Sequence, residues 1–177
     1  MGLYDDLDLD EPEELPNGCC FTGHRPNKLP WGTDESDPRC LALKAEILAR
    51  TEGIYLTGIR TFYCGMALGC DSYFFEALLQ LRQKYPDLRI EAAVPCDAQS
   101  SSWTQEEQER YRRFLSSADQ VNYVQHTYTR GCMQKRNRFM VDRSSVVLAC
   151  FNGTAGGTMG TILYAQREGR TVITIDI

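Results

Sequence analysis

Four stretches of the chain carry residues whose types and spacing suit an anionic ligand. Thr22-Gly23-His24-Arg25-Pro26 sets a glycine, which lets backbone approach a ligand closely, beside a guanidinium whose planar fork matches phosphate. His24 adds a group able to hydrogen-bond or move a proton near neutral pH, although His24 and Arg25 equally suit bracing the long loop behind them. Gly65-Met66-Ala67-Leu68-Gly69-Cys70-Asp71 has glycines four apart and so lacks the G-x-G-x-x-G spacing of dinucleotide sites. Its Asp71 fits either a ribose hydroxyl or a helix cap. Gly156-Gly157-Thr158 opens an expected helix after an apolar run, the geometry for gripping phosphate with backbone N–H groups and a hydroxyl. The fourth stretch, Arg130 to Arg143, is the most basic part of the chain. Helical spacing puts Met133, Arg136, Asn137 and Met140 on one side, so Arg136 and Asn137 are expected to look inward and Lys135 and Arg138 outward. An inward Arg needs an anionic partner, because an unpaired buried charge is very costly.

The elements that must position these residues follow from periodicity. The first three stretches each follow a strand-like apolar run: Cys19-Cys20-Phe21, Thr61 to Cys64, and Val146 to Phe151. Arg89 to Val94, Val121 to Val124 and Thr171 to Ile177 read as further strands. After the loop from Pro26 to Asp37, Asp37 caps a first helix with Pro38 at its first position. Leu41, Ala45 and Leu48 would form its buried stripe and Gly53 would end it. A second helix after Gly69 carries Phe74, Phe75, Leu78, Leu79 and Leu81 on a broad face and stops at Pro86. Thr104 to Glu107 reads as a capping box opening a charged helix that buries Tyr111, Phe114, Leu115 and Ala118. The basic stretch is a fourth helix, and a fifth runs to Gly169. Strands alternating with helices imply an α/β three-layer sandwich around a mostly parallel sheet, with ligands at the carboxyl ends of the strands.

Composition sets outer bounds. A chain of 177 residues fits one domain with a continuous core. Of the 24 Asp and Glu, 7 lie in the first sixteen residues with no Lys or Arg among them, leaving 17 against 19 basic residues. Residues 1–16 therefore read as an acidic, solvated, mobile arm, and 17–177 as a single near-neutral domain. The 8 cysteines include no C-x-x-C pair and the two histidines are far apart, so no metal is expected. The opening residues have neither a basic start nor an apolar core, and a reducing, cytoplasmic setting is expected. No apolar stretch approaches the roughly 20 residues of a membrane helix.

The motifs resemble the YpsA-like branch of the SLOG superfamily, the Rossmann-like group that joins the DNA-processing DprA proteins with the LOG phosphoribohydrolases. The matching pieces run in order from Thr22-Gly-His-Arg-Pro26, with Lys28-Leu29, through Gly65 to Asp71, Pro95-Cys96, Gln99 and Trp103. They continue with Tyr128, Gly131-Cys-Met133, Arg136-Asn-Arg138, Met140-Val-Asp142, Gly156-Gly-Thr158 and Tyr164-Ala165. The resemblance implies a Rossmann-like domain that binds or senses a nucleotide or nucleotide derivative of the ADP-ribose or NAD kind. Thr22, Gly23, His24, Arg25, Gly65, Gly69, Asp71, Arg136, Asn137, Gly156, Gly157 and Thr158 would form the site. LOG enzymes carry a P-G-G-x-G-T-x-x-E loop whose Glu is catalytic, and aligning Gly157-Thr158 on its G-T places Thr161 where that Glu belongs. Turnover is therefore not expected. A nucleotide hydrolase using Asp71, Asp142 or His24, and single-stranded nucleic-acid binding as in DprA, are the alternatives. Self-association stays open, and the resemblance names no cofactor.

Overall fold

The structure, a computed structural model, describes residues 15–177. The expectation of a mobile acidic arm therefore falls almost wholly outside the described residues. Eleven principal elements follow in order: β1 (Gly18–Gly23), α1 (Pro38–Leu56), β2 (Thr61–Cys64), α2 (Cys70–Lys84), β3 (Arg89–Val94), α3 (Gln105–Ser117), β4 (Gln120–Tyr123), α4 (Cys132–Asp142), β5 (Val146–Phe151), α5 (Gly157–Arg167) and β6 (Thr171–Asp176). The strands form one sheet in the order β4-β3-β2-β1-β5-β6, parallel at every pairing. β1 sits between β2 and β5, with Cys19 opposite both Phe62 and Val146. The chain winds outward from β1 in one direction through β4, then returns to the other side of β1 for β5 and β6. That reversal opens a crevice at the carboxyl ends of β1 and β5, where open parallel sheets bind ligands.

Successive strand residues point to opposite faces, and two apolar cores result. Cys19 and Phe21 of β1, Phe62 and Cys64 of β2, and Leu148 and Cys150 of β5 pack with α1, α2 and α3 in the larger core. Phe21 stacks on Phe74 with ring centroids 4.6 Å apart. Cys20, Tyr63, Ala93 and Val147 face the other way, against Met140 and Val141 of α4 and Ala165 of α5. All eight cysteines are buried free thiols. Among the described residues no helix is long and apolar enough to cross a membrane.

The sequence-based expectation for α1 needs correction. Asp37 does cap it, accepting the Arg39 N–H at 2.8 Å, and Pro38 is its first residue. Yet Leu41 is 54% exposed and Ala45 is exposed, while Cys40, Leu43, Ile47, Thr51 and Ile54 face the core. The helix also runs through Gly53 to Leu56, since one glycine costs a helix only about 1 kcal/mol and the burial of Ile54 and Tyr55 outweighs it. The other expected elements agree closely. In α3 the Thr104 hydroxyl accepts the Glu107 N–H at 3.2 Å and the Glu107 carboxylate accepts the Thr104 N–H at 3.0 Å.

Candidate functional site

The loop after β1 is laced to the start of α2, because the Cys70 N–H donates to the His24 carbonyl at 3.1 Å. This contact requires Gly69. Its φ of +85° is unfavourable for other residues, and a Cβ there would lie 2.7 Å from the His24 carbonyl oxygen. From the other side, the His24 ring accepts the Asn152 N–H on Nε2 at 3.1 Å, tying the β1 loop to the loop after β5. The Lys28 ammonium, carried on a short 3-10 turn at Pro26–Lys28, donates to the Ala155 carbonyl at 2.7 Å. Three strand ends are thus held together around one space.

That space is a cavity of about 310 Å³. Of the residues expected at the site, Thr22, Gly23, His24, Arg25, Asp71, Arg136, Asn137, Gly157 and Thr158 line it. Gly65 and Gly69 do not line it and are buried behind it, and Gly156 lies exposed beside it against the Lys28 side chain. Gly65 is the clearest case, because a Cβ there would come within 3.0 Å of the Arg136 guanidinium. Sequence reasoning passed over Asn27 and Lys28 as site residues, although both line the cavity. The available signal was the pair of bases, Arg25 and Lys28, three residues apart in a Pro-rich loop.

Arg136 is the centre of the arrangement. It is 5% exposed, donates Nη1 to the Gly65 carbonyl, and donates Nε to the Asn137 Oδ1 at 2.9 Å. Its Nη2 has no hydrogen-bond partner among the described residues, and since no side-chain nitrogen or oxygen there is both sealed and unpaired, Nη2 opens on the cavity. Asp71 is 7% exposed and accepts the Ala67 N–H on Oδ2 at 3.0 Å, and it lines both this cavity and a smaller one toward Trp103 and Arg110. Asp71 therefore pins the β2–α2 loop and is not the residue that caps α2, a position held by Gly69. No carboxylate lies within 4.0 Å of Arg136 among the described residues.

Burial dominates the electrostatics. It pushes the Asp71 carboxyl above its ordinary value against the pull of Arg136 and the Ala67 N–H, and it lowers Arg136 against the pull of Asp71. Each charge is thus only partly compensated by the other. His24 is held below the usual imidazole value by burial, with Lys28 adding to the effect. Its Nε2 accepts a hydrogen bond, so the neutral ring carries its proton on Nδ1. At the far wall α5 begins at Gly157 with no side-chain cap, leaving its first N–H groups to face the cavity beside the Thr158 hydroxyl. Three cations, Arg25, Lys28 and Arg136, surround one carboxylate. The arrangement can hold an anion through guanidinium, helix N-terminus and hydroxyl together.

Thr161 lies one turn into α5. It is buried and donates its hydroxyl to the Gly157 carbonyl at 2.9 Å. Asp142 accepts the Tyr164 hydroxyl at 2.6 Å and is absent from the cavity lining.

Comparison with known proteins agrees with this architecture. The chain is 28% identical over 144 residues to the SPbeta prophage-derived protein YoqJ of Bacillus subtilis, covering 74% of this chain and 84% of that protein. It is 26% identical over 153 residues to the UPF0398 protein YpsA of the same organism, covering 85% and 84%. Two solved structures share the fold at 15% identity. DNA processing protein A (DprA) of Streptococcus pneumoniae superposes with a TM-score of 0.58 over 90% of this chain and 50% of its own. DprA of Helicobacter pylori, described for its single-stranded DNA binding mode, superposes with a TM-score of 0.60 over 90% of this chain and 65% of its own. This chain therefore spans only half to two thirds of the DprA proteins. A family model described as the YspA SLOG family matches residues 19–170, and the chain belongs to that YpsA family of SLOG proteins.

Proposed function

We propose that the protein binds a phosphate-bearing nucleotide derivative of the ADP-ribose or NAD kind at the cavity between β1, α4 and α5, as a binding or sensing domain. The observation that supports this reading is Arg136, a buried guanidinium with one nitrogen unpaired among the described residues, on a cavity to whose lining those residues bring three cations and one carboxylate. Such a charge is expensive without an anion, and a phosphate on the α5 N-terminus would supply one. Asp71 or Asn137 would address the ribose or base. Binding without turnover fits the hydroxyl of Thr161, which is spent on its own helix.

Calorimetry with ADP-ribose tests the proposal. Arg25→Ala should weaken binding by about 1.5–3 kcal/mol, the range for hydrogen bonds to charged groups, or roughly tenfold to over a hundredfold. Gly157→Val is a cleaner probe, because a Cβ at this position meets no protein atom within 4 Å. The variant should fold like the parent and still lose comparable affinity by obstructing phosphate at the backbone. Normal binding by both variants would sink the assignment.

A second reading has its own observation. On the outer side of α4, a broad groove of about 860 Å³ is lined by Arg130, Lys135, Arg138 and Arg143, by one carboxylate, Asp142, and by Tyr123 and Phe139. Cations interleaved with aromatics suit a single-stranded nucleic acid. An anisotropy titration decides between the two readings. Nanomolar affinity for an oligonucleotide at physiological salt would favour the groove, and weak, steeply salt-dependent affinity would leave the cavity as the main site.

A further inference from the structure

Beside the phosphate cavity lies a second one of about 340 Å³, reached across shared walls formed by Arg25, Asn27, Ala67 and Met133. Its character is different. Leu68, Trp103 and Met133 give it apolar surface, and Gln99, Asn27 and Glu107 give it a few polar groups. Among the described residues no cation lines it except Arg25 at the boundary. Apolar walls with a small number of placed polar groups are what a planar heterocycle requires.

Trp103 lines this second cavity and packs on the core behind it. It is half-buried, held edge-to-face by Tyr111 with ring centroids 5.2 Å apart. Its indole N–H makes no hydrogen bond among the described residues, whereas the chain's other tryptophan, Trp31, donates to the Tyr73 hydroxyl at 3.1 Å. Since no side-chain nitrogen among the described residues is both sealed and unpaired, the Trp103 N–H is open to solvent and available to a ligand. The floor between the cavities is also built as one unit. The Gly65 carbonyl accepts from Gln99 Nε2 at 3.2 Å and from Arg136 Nη1, and Gln99 Oε1 accepts the Tyr111 hydroxyl at 3.3 Å. Through Gln99 and Tyr111, the group that would hold phosphate and the ring beside the second cavity share one rigid support.

Building on the function proposed above, we infer that this second cavity is a nucleobase subsite in which Trp103 and Met133 contact the base while Arg25 spans base and phosphate cavities. The ligand then occupies both spaces, with its sugar passing between Ala67 and Met133. The protein recognises a whole nucleotide and discriminates it from a base-free sugar phosphate.

The test compares ADP with ribose 5-phosphate by calorimetry on the full chain. The parent should bind ADP more tightly than ribose 5-phosphate. Trp103→Ala should weaken ADP roughly tenfold to a hundredfold, the range for loss of base stacking on an aromatic ring, and leave ribose 5-phosphate within about twofold. Trp103→Phe, which keeps a ring, should recover most of the ADP affinity. ADP, but not ribose 5-phosphate, should also quench the Trp103 fluorescence of the parent, a readout that holds even where Trp103→Ala fails to fold. Equal affinity of the parent for the two ligands, or a Trp103→Ala loss shared by both, would overturn the subsite while leaving the phosphate cavity standing. Failure of the parent to bind either ligand would overturn the phosphate reading and this inference with it.

Discussion

Two charged clusters in this protein are built on opposite principles. Where the loop before α1 meets α1, α2 and α3, Lys44 and Arg110 each pair with both Glu35 and Glu76. The Lys44 contacts measure 2.7 and 3.3 Å and the Arg110–Glu35 contact 2.6 Å. Two cations meet two carboxylates and the cluster closes on itself. At the carboxyl ends of β1 and β5, Arg25, Lys28 and Arg136 surround Asp71 alone, with no ion pair among them. The first cluster is partly open to water and neutral, so its loss would be felt as stability. The second is buried at its centre and, among the described residues, leaves positive charge uncompensated, so its loss should be felt as binding. On the proposed reading, that charge is what a bound anion would meet.

The largest effect should come from separating these roles. Arg136→Met, which keeps much of the volume, should weaken ADP-ribose binding roughly tenfold to over a hundredfold. Its unfolding free energy in denaturant should stay within about 1 kcal/mol of the parent, because removing an uncompensated buried charge offsets the lost hydrogen bonds. Arg110→Met should do the reverse, costing about 1–2 kcal/mol of stability, between the ranges for exposed and buried pairs, with binding unchanged. If Arg136→Met were the more destabilising variant, the contrast between the clusters would collapse.

Asp71→Asn sharpens the same contrast with a smaller expected change. The amide oxygen can still accept the Ala67 N–H, so the loop should hold while the only carboxylate in the cavity disappears. Inorganic pyrophosphate should then bind several-fold more tightly, on the order of 1 kcal/mol. Competition binding against the parent would check this, and weaker pyrophosphate binding would show that Asp71 serves the anion indirectly by orienting Arg136.

The pH dependence of His24 is smaller again. The folded ring is held below the ordinary imidazole value while the unfolded ring is not. As pH falls through the ordinary value, the unfolded chain takes up the proton first and stability declines. Protonated Nε2 can no longer accept the Asn152 N–H, so the bridge between the β1 and β5 loops opens. Between pH 7 and 5 the parent should lose stability relative to His24→Gln, whose side-chain oxygen keeps an acceptor that does not titrate. Parallel stability curves for the two would remove His24 from this role. Least affected of all should be Arg138→Ala, an exposed change on the outer side of α4, expected within about 0.5 kcal/mol of the parent in stability and near parental affinity for ADP-ribose.

Much of this was legible in the chain because the signals are local. β5, Val146–Phe151, is an unbroken apolar run as a strand covered on both faces must be. The capping box of α3 is a four-residue pattern, and the inward turn of Arg136 follows from its place between Met133 and Met140 on a 3.6-residue period. The buried side of α1 was not legible. Leucines occur on more than one side of it, and its core face includes Cys40 and Thr51, the latter buried because its hydroxyl donates to the Ile47 carbonyl at 2.6 Å. Only packing against α2 and the sheet selects that face.

The sequence by itself determined the α/β layering, the three glycine turns and the basic helix, since each rests on residues within a few positions of one another. Which of those residues share a cavity was decided by tertiary structure. Lys28 reaches the Ala155 carbonyl across 127 positions, and Arg136 donates to the Gly65 carbonyl across 71. Gly65 and Gly69 look in sequence like ligand-contacting residues, yet they stand behind the wall, where their missing side chains make room for protein groups, while Gly156 is exposed and makes room for the Lys28 side chain. Local pattern specifies what a residue offers, whereas strand order and loop closure decide what it meets. Here the return of the chain from β4 to β5 brings a guanidinium, a carboxylate and an uncapped helix end to one space without neutralising them.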